Sequence, residues 1–327
     1  MARIILSLIL FFSGILHLLN LGMFDSDIPF LLTGLIDIVL ALGLCSKKFQ
    51  DLSARLIALW VLCLTPIYIY FSWNHIAIFG IVLLPAFYFW ALSLQTKGWI
   101  MAQVWKDVLF LHYQVDPKIL QAKVPFKLDL YNGHAVLSIV SFTMDRIRFP
   151  FLPSVPGLSK LNELNLRTYV EVDGIKGVYF FTLDADLIPA ISIARLFFSL
   201  PYHLAKISIQ KNQNNYFCES QSSSTSLKFS AEIQALRKSS HFELWATERY
   251  GLFTQRSGRT LHGIVQHVPW SLQEIALLKI EDNFSTQLGE DLKATTFLEP
   301  GYCKELNVRF RPFYKMNSTS GLPLSSL

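Results

Sequence analysis

The spacing of hydrophobic positions changes at about residue 98, from long unbroken runs to short alternating ones. Before that point, four apolar segments follow one another with short connectors, at residues 4–21, 28–44, 52–71 and 76–94. A helix needs about 20 apolar residues to cross the ~30 Å hydrocarbon core of a bilayer. The first part of the chain, residues 1–98, is therefore predicted to form a membrane bundle of four transmembrane helices.

The charges in the connectors predict how this bundle is oriented. Lys47, Lys48 and Arg55 flank the second connector, whereas the first connector carries Asp25 and Asp27. Cytoplasmic loops of membrane proteins are enriched in Lys and Arg, so the second connector should be cytoplasmic. Four spans then leave both termini and the C-terminal domain inside. This predicts a multi-pass protein of the cytoplasmic membrane, with the lipid bilayer as a partner.

Two ionisable residues, His17 and Asp37, lie within the first two predicted spans. A charged Asp at the centre of a membrane helix costs about 2.5 to 3.5 kcal/mol on insertion scales, so Asp37 should face the bundle and find a partner. His17 is the candidate partner. The pair is either a small polar site or proton relay, or a hydrogen bond that packs the two helices together.

From residue 99 onward, short alternating runs with turn residues between them predict a soluble α+β domain that is mainly antiparallel β-sheet. This domain is assigned to residues 99–316, and the Ser-rich end, residues 317–327, is expected to be disordered. Helices are predicted behind Asp116 and from Pro189. The predicted strands are Ala135–Met144, Leu164–Val172, Gly177–Asp184, Leu204–Gln210, Phe242–Thr247 and Gly263–Val268.

Two of these strands flank Asp173-Gly174, which is typical of a two-residue hairpin turn of type I′. Such a turn sets Val172 opposite Ile175, and counting outward gives the rest of the register. One face of the hairpin is then apolar. The other face is polar, and on it Glu163 stands opposite Asp184, Asn165 opposite Thr182 and Arg167 opposite Phe180. This polar face is either the floor of a pocket or the solvated side of an antiparallel sheet.

Composition limits the kinds of partner. The net charge of +5 is spread over the chain without a block of Lys and Arg, so a nucleic acid partner is not expected. The four cysteines show no Cys/His spacing of the zinc type, so neither a metal nor a cofactor is predicted. The sequence gives no oligomeric state.

The apolar first part resembles the DoxX-like family of small four-helix membrane proteins. The residues that carry this resemblance are SGILHLLN at Ser13–Asn20 and TGLIDIVLALGL at Thr33–Leu44. Members of that family are linked to quinone or thiol oxidoreductase systems. No redox Cys pair is present in this chain, so the link does not extend to its chemistry.

The second part resembles the YqjF-like family of acetoacetate decarboxylase-like domains across residues 105–312. Six motifs in order carry the resemblance: WKDVLFLHYQV (Trp105–Val115), PGLSKLNELNLRTYV (Pro156–Val170), GVYFFTLDA (Gly177–Ala185), LPYHLA (Leu200–Ala205), ERYGL (Glu248–Leu252) and HVPWSL (His267–Leu272). The resemblance implies a cone-shaped, mainly antiparallel β-barrel or sandwich around a central cavity. It favours the pocket interpretation of the polar hairpin face.

Acetoacetate decarboxylases form a Schiff base through a Lys whose pKa is lowered by a neighbouring Lys. The one Lys-Lys pair here is Lys47-Lys48, outside the second domain, so this mechanism is not expected. An arginine could instead hold a ligand carboxylate while Glu163 or Asp184 acts as acid or base; alternatively, these groups are buried salt bridges of the barrel. The candidate pocket residues are Glu163, Asn165, Arg167, Asp184, Arg195, His203, Glu248, Arg249 and His267.

Three functional hypotheses follow from these predictions. The first is a membrane-anchored domain that binds a small, partly apolar carbonyl or carboxylate ligand. The second is a lyase or hydrolase that uses carboxylate acid–base chemistry without a Schiff-base lysine. The third is a structural partner of another membrane enzyme.

Overall fold

A computed structural model of the protein describes residues 6–11, 28–71, 98–256, 258–289, 292 and 297–316. The chain folds into two compact units, residues 1–100 and 101–327. The predicted disordered tail, residues 317–327, and His17 lie outside the described residues.

The first unit contains two long helices, α1 (Ile28–Cys45) and α2 (Gln50–Phe71), and residues 6–11 are also helical. Asp37 on α1 is buried, and its Oδ1 accepts a hydrogen bond of 3.1 Å from the indole nitrogen of Trp60 on α2. A buried carboxylate needs such donors, because it loses its hydration on folding. Asp37 therefore contributes to the packing of α1 against α2.

The prediction of four transmembrane helices is wrong. No helix in the described part of the chain is both long and apolar enough to cross a bilayer. Most of the first predicted span and all of the fourth lie outside the described residues. A helix that is apolar on all sides is expected both in a membrane and inside a protein core, so hydropathy alone did not separate the two. The predicted multi-pass placement, the cytoplasmic-membrane location and the membrane anchor of the functional hypotheses are wrong for the same reason.

The second unit is built on a sheet to which fourteen strands of the described residues contribute. Their bounds are β1 (Met101–Val115), β2 (Lys127–Leu128), β3 (Ala135–Arg148), β4 (Leu161–Val172), β5 (Ile175–Ala185), β6 (Tyr202–Leu204), β7 (Lys206–Asn212), β8 (Asn215–Gln221), β9 (Ser226–Leu236), β10 (Gly251–Arg256), β11 (Arg259–Gln266), β12 (Gln273–Asp282), β13 (Phe297–Phe310) and β14 (Tyr314–Lys315). The pairing is antiparallel except where β5 pairs with β6 and β10. A mainly antiparallel β domain was predicted from the alternating runs.

Seven of these strands form a closed ring in the order β11, β10, β5, β4, β3, β1 and β13, because β13 pairs back onto β11 at Val265↔Phe310 and Gln266↔Arg309. The described part of the domain is therefore a β-barrel, with β12, β9, β8 and β7 continuing from β13 as a further sheet. Because the ring is closed, none of its seven strands is a free edge at the positions where it pairs with both neighbours.

Two apolar cores occupy the two sides of the barrel wall. One core has members on all seven ring strands, such as Phe110, Tyr169 and Val308, and it fills the barrel interior. The other lies between the wall and the outer sheet, and it includes Leu164, Leu166 and residues of β8 and β9. Because side chains alternate along a strand, six of the seven wall strands contribute to both cores, and β11 contributes to the interior core. Most of the wall is consequently buried on both faces.

The hairpin of β4 and β5 begins with the predicted turn. Asp173 and Gly174 both have positive φ, and Val172 pairs with Ile175. The predicted register holds as far as the pair of Arg167 with Phe180. Beyond that pair, β5 contains a β-bulge at Phe181, which has no partner on β4 in the register. A bulge inserts one residue, so every later pair on the hairpin is shifted by one position.

Three helices of the second unit border the barrel. The helix predicted behind Asp116 is α3 (Pro117–Gln121), and the Asp116 carboxylate caps it. The helix predicted from Pro189 is observed as α4 (Ile188–Ile193), followed by a π-helix (Ala194–Phe198). The third, α5 (His241–Thr247), was predicted as a strand. A capping box between Ser240 and Glu243 forms its first turn, and this local signal outweighs the short apolar run.

Candidate functional site

The barrel interior contains a polar cluster on β4. Glu163, Asn165 and Arg167 occupy alternate positions on the same side of the strand as Tyr169, which belongs to the interior core. Glu163 and Asn165 are each 2% exposed and Arg167 is 9% exposed. This face is therefore buried, and the interpretation as the solvated side of a sheet is wrong.

Glu163 is held by two hydrogen bonds inside the barrel. Its Oε1 accepts from Asn165 Nδ2 at 3.0 Å, and its Oε2 accepts from the Tyr202 hydroxyl at 2.6 Å. Burial raises the pKa of Glu163 to about 7, although both hydrogen bonds and the positive charge of Arg167 act in the opposite direction. Near neutral pH, Glu163 therefore populates both its protonated and its ionised form.

Arg167 lies in the same cluster without an ionic partner. Its guanidinium carbon is 5.5 Å from the ring centroid of Phe110 and 5.9 Å from that of Tyr169. No ion pair joins it to a carboxylate of the described residues, and its buried Nε has no hydrogen-bond partner. Asn165 Oδ1 is also buried and unpaired. Buried polar atoms are nearly always paired, so these two atoms indicate a place for a ligand or an ordered water.

Next to Arg167, three residues form a hydrogen-bonded group that the sequence analysis did not identify. His112 Nδ1 is 2.7 Å from Ser138 Oγ, which is 2.9 Å from the Tyr169 hydroxyl. Burial and the charge of Arg167 lower the pKa of His112 to about 3, so the imidazole is neutral at physiological pH. The sequence signals for His112 were its place in the motif WKDVLFLHYQV and its position two residues after Phe110 on a buried strand.

A second buried arginine, Arg249, lies on the other side of this group. Its guanidinium carbon is 5.3 Å from the Tyr169 ring centroid and 4.6 Å from that of Trp245. Unlike Arg167, it has a carboxylate partner, because its Nη1 donates to Asp129 Oδ2 at 2.7 Å. The other oxygen of Asp129 accepts from Lys176 Nζ at 3.1 Å. Arg249 and Asp129 are therefore a buried ion pair, and Asp129 was not among the residues predicted for the site.

Asp184 does not stand opposite Glu163. The bulge at Phe181 pairs Asp184 with Leu164 and Glu163 with Ala185, which places Asp184 on the side of the outer core. There its Oδ1 accepts a hydrogen bond from Thr182, Oδ2 is unpaired, and burial raises its pKa. Since side chains alternate along a strand, a shift of one residue moves a side chain to the opposite face.

The other predicted pocket residues lie at the border of the cluster. Arg195 is exposed on the π-helix, and His203 is exposed on β6. Glu248 accepts from the Trp270 amide at 3.1 Å and from the Tyr250 hydroxyl, so it fixes a loop. His267 stacks on Tyr250 with ring centroids 4.6 Å apart. Burial lowers the pKa of His267 and the charge of Arg167 adds to this, whereas the Val268 carbonyl and the charge of Glu248 act in the opposite direction.

Two further observations limit the chemistry of the described residues. No group of three or more His, Cys, Asp or Glu side chains among them is arranged to hold a metal ion. Every lysine in the described ranges is at least partly exposed, so none of them lies in the buried cluster. Proton transfer at Glu163 and anion binding at Arg167 are the chemical capacities that remain in the cluster.

Comparisons with known proteins agree with this architecture. Residues 102–310 match the model of the family DUF2071, described as an uncharacterized conserved protein. The chain is 37% identical over 242 residues to the uncharacterized protein YqjF of Bacillus subtilis strain 168, covering 68% of this chain and 96% of YqjF.

Solved structures show the same fold at low sequence identity. Acetoacetate decarboxylase from Legionella pneumophila superposes with a TM-score of 0.53 at 12% identity, covering 67% of this chain and 87% of that protein. The enduracididine biosynthesis enzyme MppR complexed with pyruvate gives a TM-score of 0.50 at 11% identity, covering 69% and 94%. The family match begins at residue 102, so it does not bear on the DoxX-like resemblance of the first unit.

Proposed function

This chain belongs to the DUF2071 family, and from that premise we propose that its barrel binds the carboxylate of a small oxo acid at Arg167. Glu163 then exchanges a proton with the carbon next to the oxo group. In this step the Glu163 carboxylate takes the proton, the electron pair of the C–H bond forms an enolate, and the proton later returns to carbon. The protein supplies no oxidant and needs none for this exchange.

The observation that carries the proposal is the unpaired guanidinium of Arg167. An arginine that is 9% exposed and lacks an ion pair among the described residues has lost much of its hydration without a counter-charge, although it contacts two aromatic rings. A carboxylate matches the planar, fork-shaped donor set of a guanidinium and can accept two hydrogen bonds from it. Binding of such an anion would give Arg167 the negatively charged partner that it lacks among the described residues.

Glu163 fits the role of the proton-transfer group. General acid–base catalysis is most effective when the pKa of the catalytic group is near the working pH, and burial raises the pKa of Glu163 to about 7. The residue is two positions from Asn165 and four from Arg167 on the same face of β4. A substrate held by the arginine is thereby brought beside the carboxylate.

The substrate class is supported by the fold relatives. One is an acetoacetate decarboxylase, and another is an enzyme complexed with pyruvate, so the ligands in both names are small oxo acids. The mechanism proposed here differs from amine attack by a lysine, because the described lysines are all at least partly exposed. Proton exchange without a covalent intermediate requires only the carboxylate and the arginine.

The test uses the full chain with pyruvate and acetoacetate as probes. Calorimetry should detect binding of at least one probe, and Arg167→Met should weaken it about 100-fold, since a hydrogen-bonded charge pair is lost. In D2O, NMR should show protein-dependent loss of the exchangeable C–H signal of the probe, and Glu163→Gln should abolish this exchange while binding persists. The control is Arg256→Met, which removes an exposed arginine at the end of β10.

Two results would refute this function. The first is equal affinity of the parent and Arg167→Met for the probes. The second is no binding of either probe at about 10 mM, which is ten times the upper end of ordinary KM values.

A further inference from the structure

The segment between β5 and β6 connects the protein surface to Glu163. It contains α4 and the π-helix, and it ends at Tyr202 on β6. The π-helical hydrogen-bond pattern is rare and is often found at functional sites. Within it, Arg195 is exposed, and its Nε donates a hydrogen bond of 2.6 Å to the backbone carbonyl oxygen of Tyr202.

The side chain of the same Tyr202 reaches the polar cluster. Its hydroxyl donates to Glu163 Oε2 at 2.6 Å, while its backbone carbonyl is the acceptor for Arg195. The turn before Tyr202 is constrained as well, because Ser199 has a φ of 52° and its carbonyl accepts from Thr254 Oγ1 at 3.0 Å. The contacts therefore run without a break from an exposed arginine to a buried carboxylate.

We propose that Arg195 is a positioning residue, which holds the Tyr202 phenol on the Glu163 carboxylate by binding the Tyr202 carbonyl oxygen. The effect of Arg195 on catalysis rests on the proposed function of Glu163. The contacts of Arg195 and Tyr202 can be tested without any substrate. This assigns to Arg195 a role different from that of a ligand clamp. The guanidinium acts through the backbone of its neighbour and does not enter the cluster.

Burial is the main cause of the raised pKa of Glu163, and four groups on the elements around it modify that pKa. Arg167 and Asn165 on β4 and the Tyr202 hydroxyl on β6 stabilise the ionised form, while the charge of Asp184 on β5 destabilises it. Tyr202 is the member of this set whose position depends on the exposed segment. Loss of its hydrogen bond should raise the pKa of Glu163, since the bond is made to the ionised form.

The experiment is a ligand-free pH titration of the full chain labelled with 13C at the side-chain carboxyl of glutamate. Glu163→Gln identifies the Glu163 signal by its disappearance. Tyr202→Phe should raise the titration midpoint by about one pH unit, the size expected for a hydrogen bond to a charged group. Arg195→Met should shift the midpoint in the same direction, and Arg195→Lys should restore it, because an ammonium group can also donate to the carbonyl.

A double variant separates positioning from a direct effect of charge. In the Tyr202→Phe background, Arg195→Met should cause no additional shift, because the phenol through which it acts is already absent. Arg256→Met, which removes an exposed arginine elsewhere, should leave the midpoint unchanged.

Two results would overturn the proposal: an unchanged midpoint in Arg195→Met, or an additional shift in the double variant as large as the shift in the single one. Both are read from a carboxyl signal without pyruvate or acetoacetate. Failure of the oxo-acid function and failure of the positioning role are therefore distinguishable.

Discussion

Two buried arginines contact the same tyrosine and differ in their polar partners. The guanidinium carbons of Arg249 and Arg167 lie 5.3 Å and 5.9 Å from the ring centroid of Tyr169. Arg249 donates to the Asp129 carboxylate at 2.7 Å, whereas Arg167 makes no ion pair with a described residue. The two sites have similar burial and share aromatic surroundings. Arg249 has a counter-charge, and its Nε also donates to the Trp245 carbonyl oxygen at 2.6 Å, whereas Arg167 has neither contact with a described residue.

Under the proposed function, this difference separates an arginine that holds the fold from one that binds a ligand. Removing one member of a buried ion pair leaves an uncompensated charge, whereas removing a charge that has no partner relieves the protein of a desolvated group. Arg249 should therefore stabilise the fold, and Arg167 should contribute little to stability or oppose it. In the proposed function, the counter-charge that Arg167 lacks is the carboxylate of the bound ligand.

The largest expected effect is the loss of stability in Arg249→Met. This change keeps an unbranched apolar side chain but leaves Asp129 with the half-exposed Lys176 as its remaining cation. We expect the free energy of unfolding in urea to fall by about 3 kcal/mol, the lower end of the range for a broken buried pair. A loss below about 1 kcal/mol would show that the pair does not hold the fold, and would remove the contrast with Arg167.

The second effect is a change in the pH dependence of stability in Glu163→Gln. The pKa of Glu163 is about 7 in the folded protein and 4.5 ordinarily, so between these values the unfolded chain loses a proton that the folded chain keeps. Parent stability should therefore fall as pH rises from 4.5 to 7, and the variant should lack this loss. Between pH 5 and pH 8, the free energy of unfolding of the variant in urea should rise by about 2 kcal/mol relative to that of the parent. If the difference in unfolding free energy between the variant and the parent were the same at both pH values, Glu163 would be ionised at both and would already neutralise Arg167.

The smallest effect is expected for Arg167→Met. Because no described carboxylate forms an ion pair with this guanidinium, the free energy of unfolding at pH 6 should stay the same or rise by less than about 1 kcal/mol. The measurement is urea unfolding beside the parent and Arg249→Met. A loss as large as that of Arg249→Met would reveal a structural partner for Arg167, and the binding interpretation would then lose its basis.

Sequence reasoning identified the centre of the site but not its partners. Glu163, Asn165 and Arg167 share a face because β-strand alternation is local, and the Asp173-Gly174 turn fixes which face that is. Asp129 and Arg249 are 120 positions apart, and no local pattern predicts that they meet. The same holds for Tyr202, which reaches Glu163 from β6 through the fold of the connecting segment.

Two other errors have local causes. The bulge at Phe181 carries no sequence signal of the glycine kind, so the register beyond it was counted one residue out and Asp184 was placed on the wrong face. The run Phe242–Thr247 has the apolar content of a strand, but the capping box before it starts a helix. In the first unit, hydropathy identified apolar segments correctly but did not determine what their side chains contact.

The bulge at Phe181 also has a genetic consequence. One inserted residue reverses inside and outside for the rest of β5, so insertion of one further codon directly after the bulge would turn Asp184 inward opposite Glu163 and turn Leu183 outward. The barrel would then enclose two carboxylates and one unpaired arginine. A point substitution in β5 does not change which positions face the barrel interior, whereas a change in the length of the strand does. Tolerance of this strand to mutation should therefore depend more on its residue count than on the identity of most of its side chains.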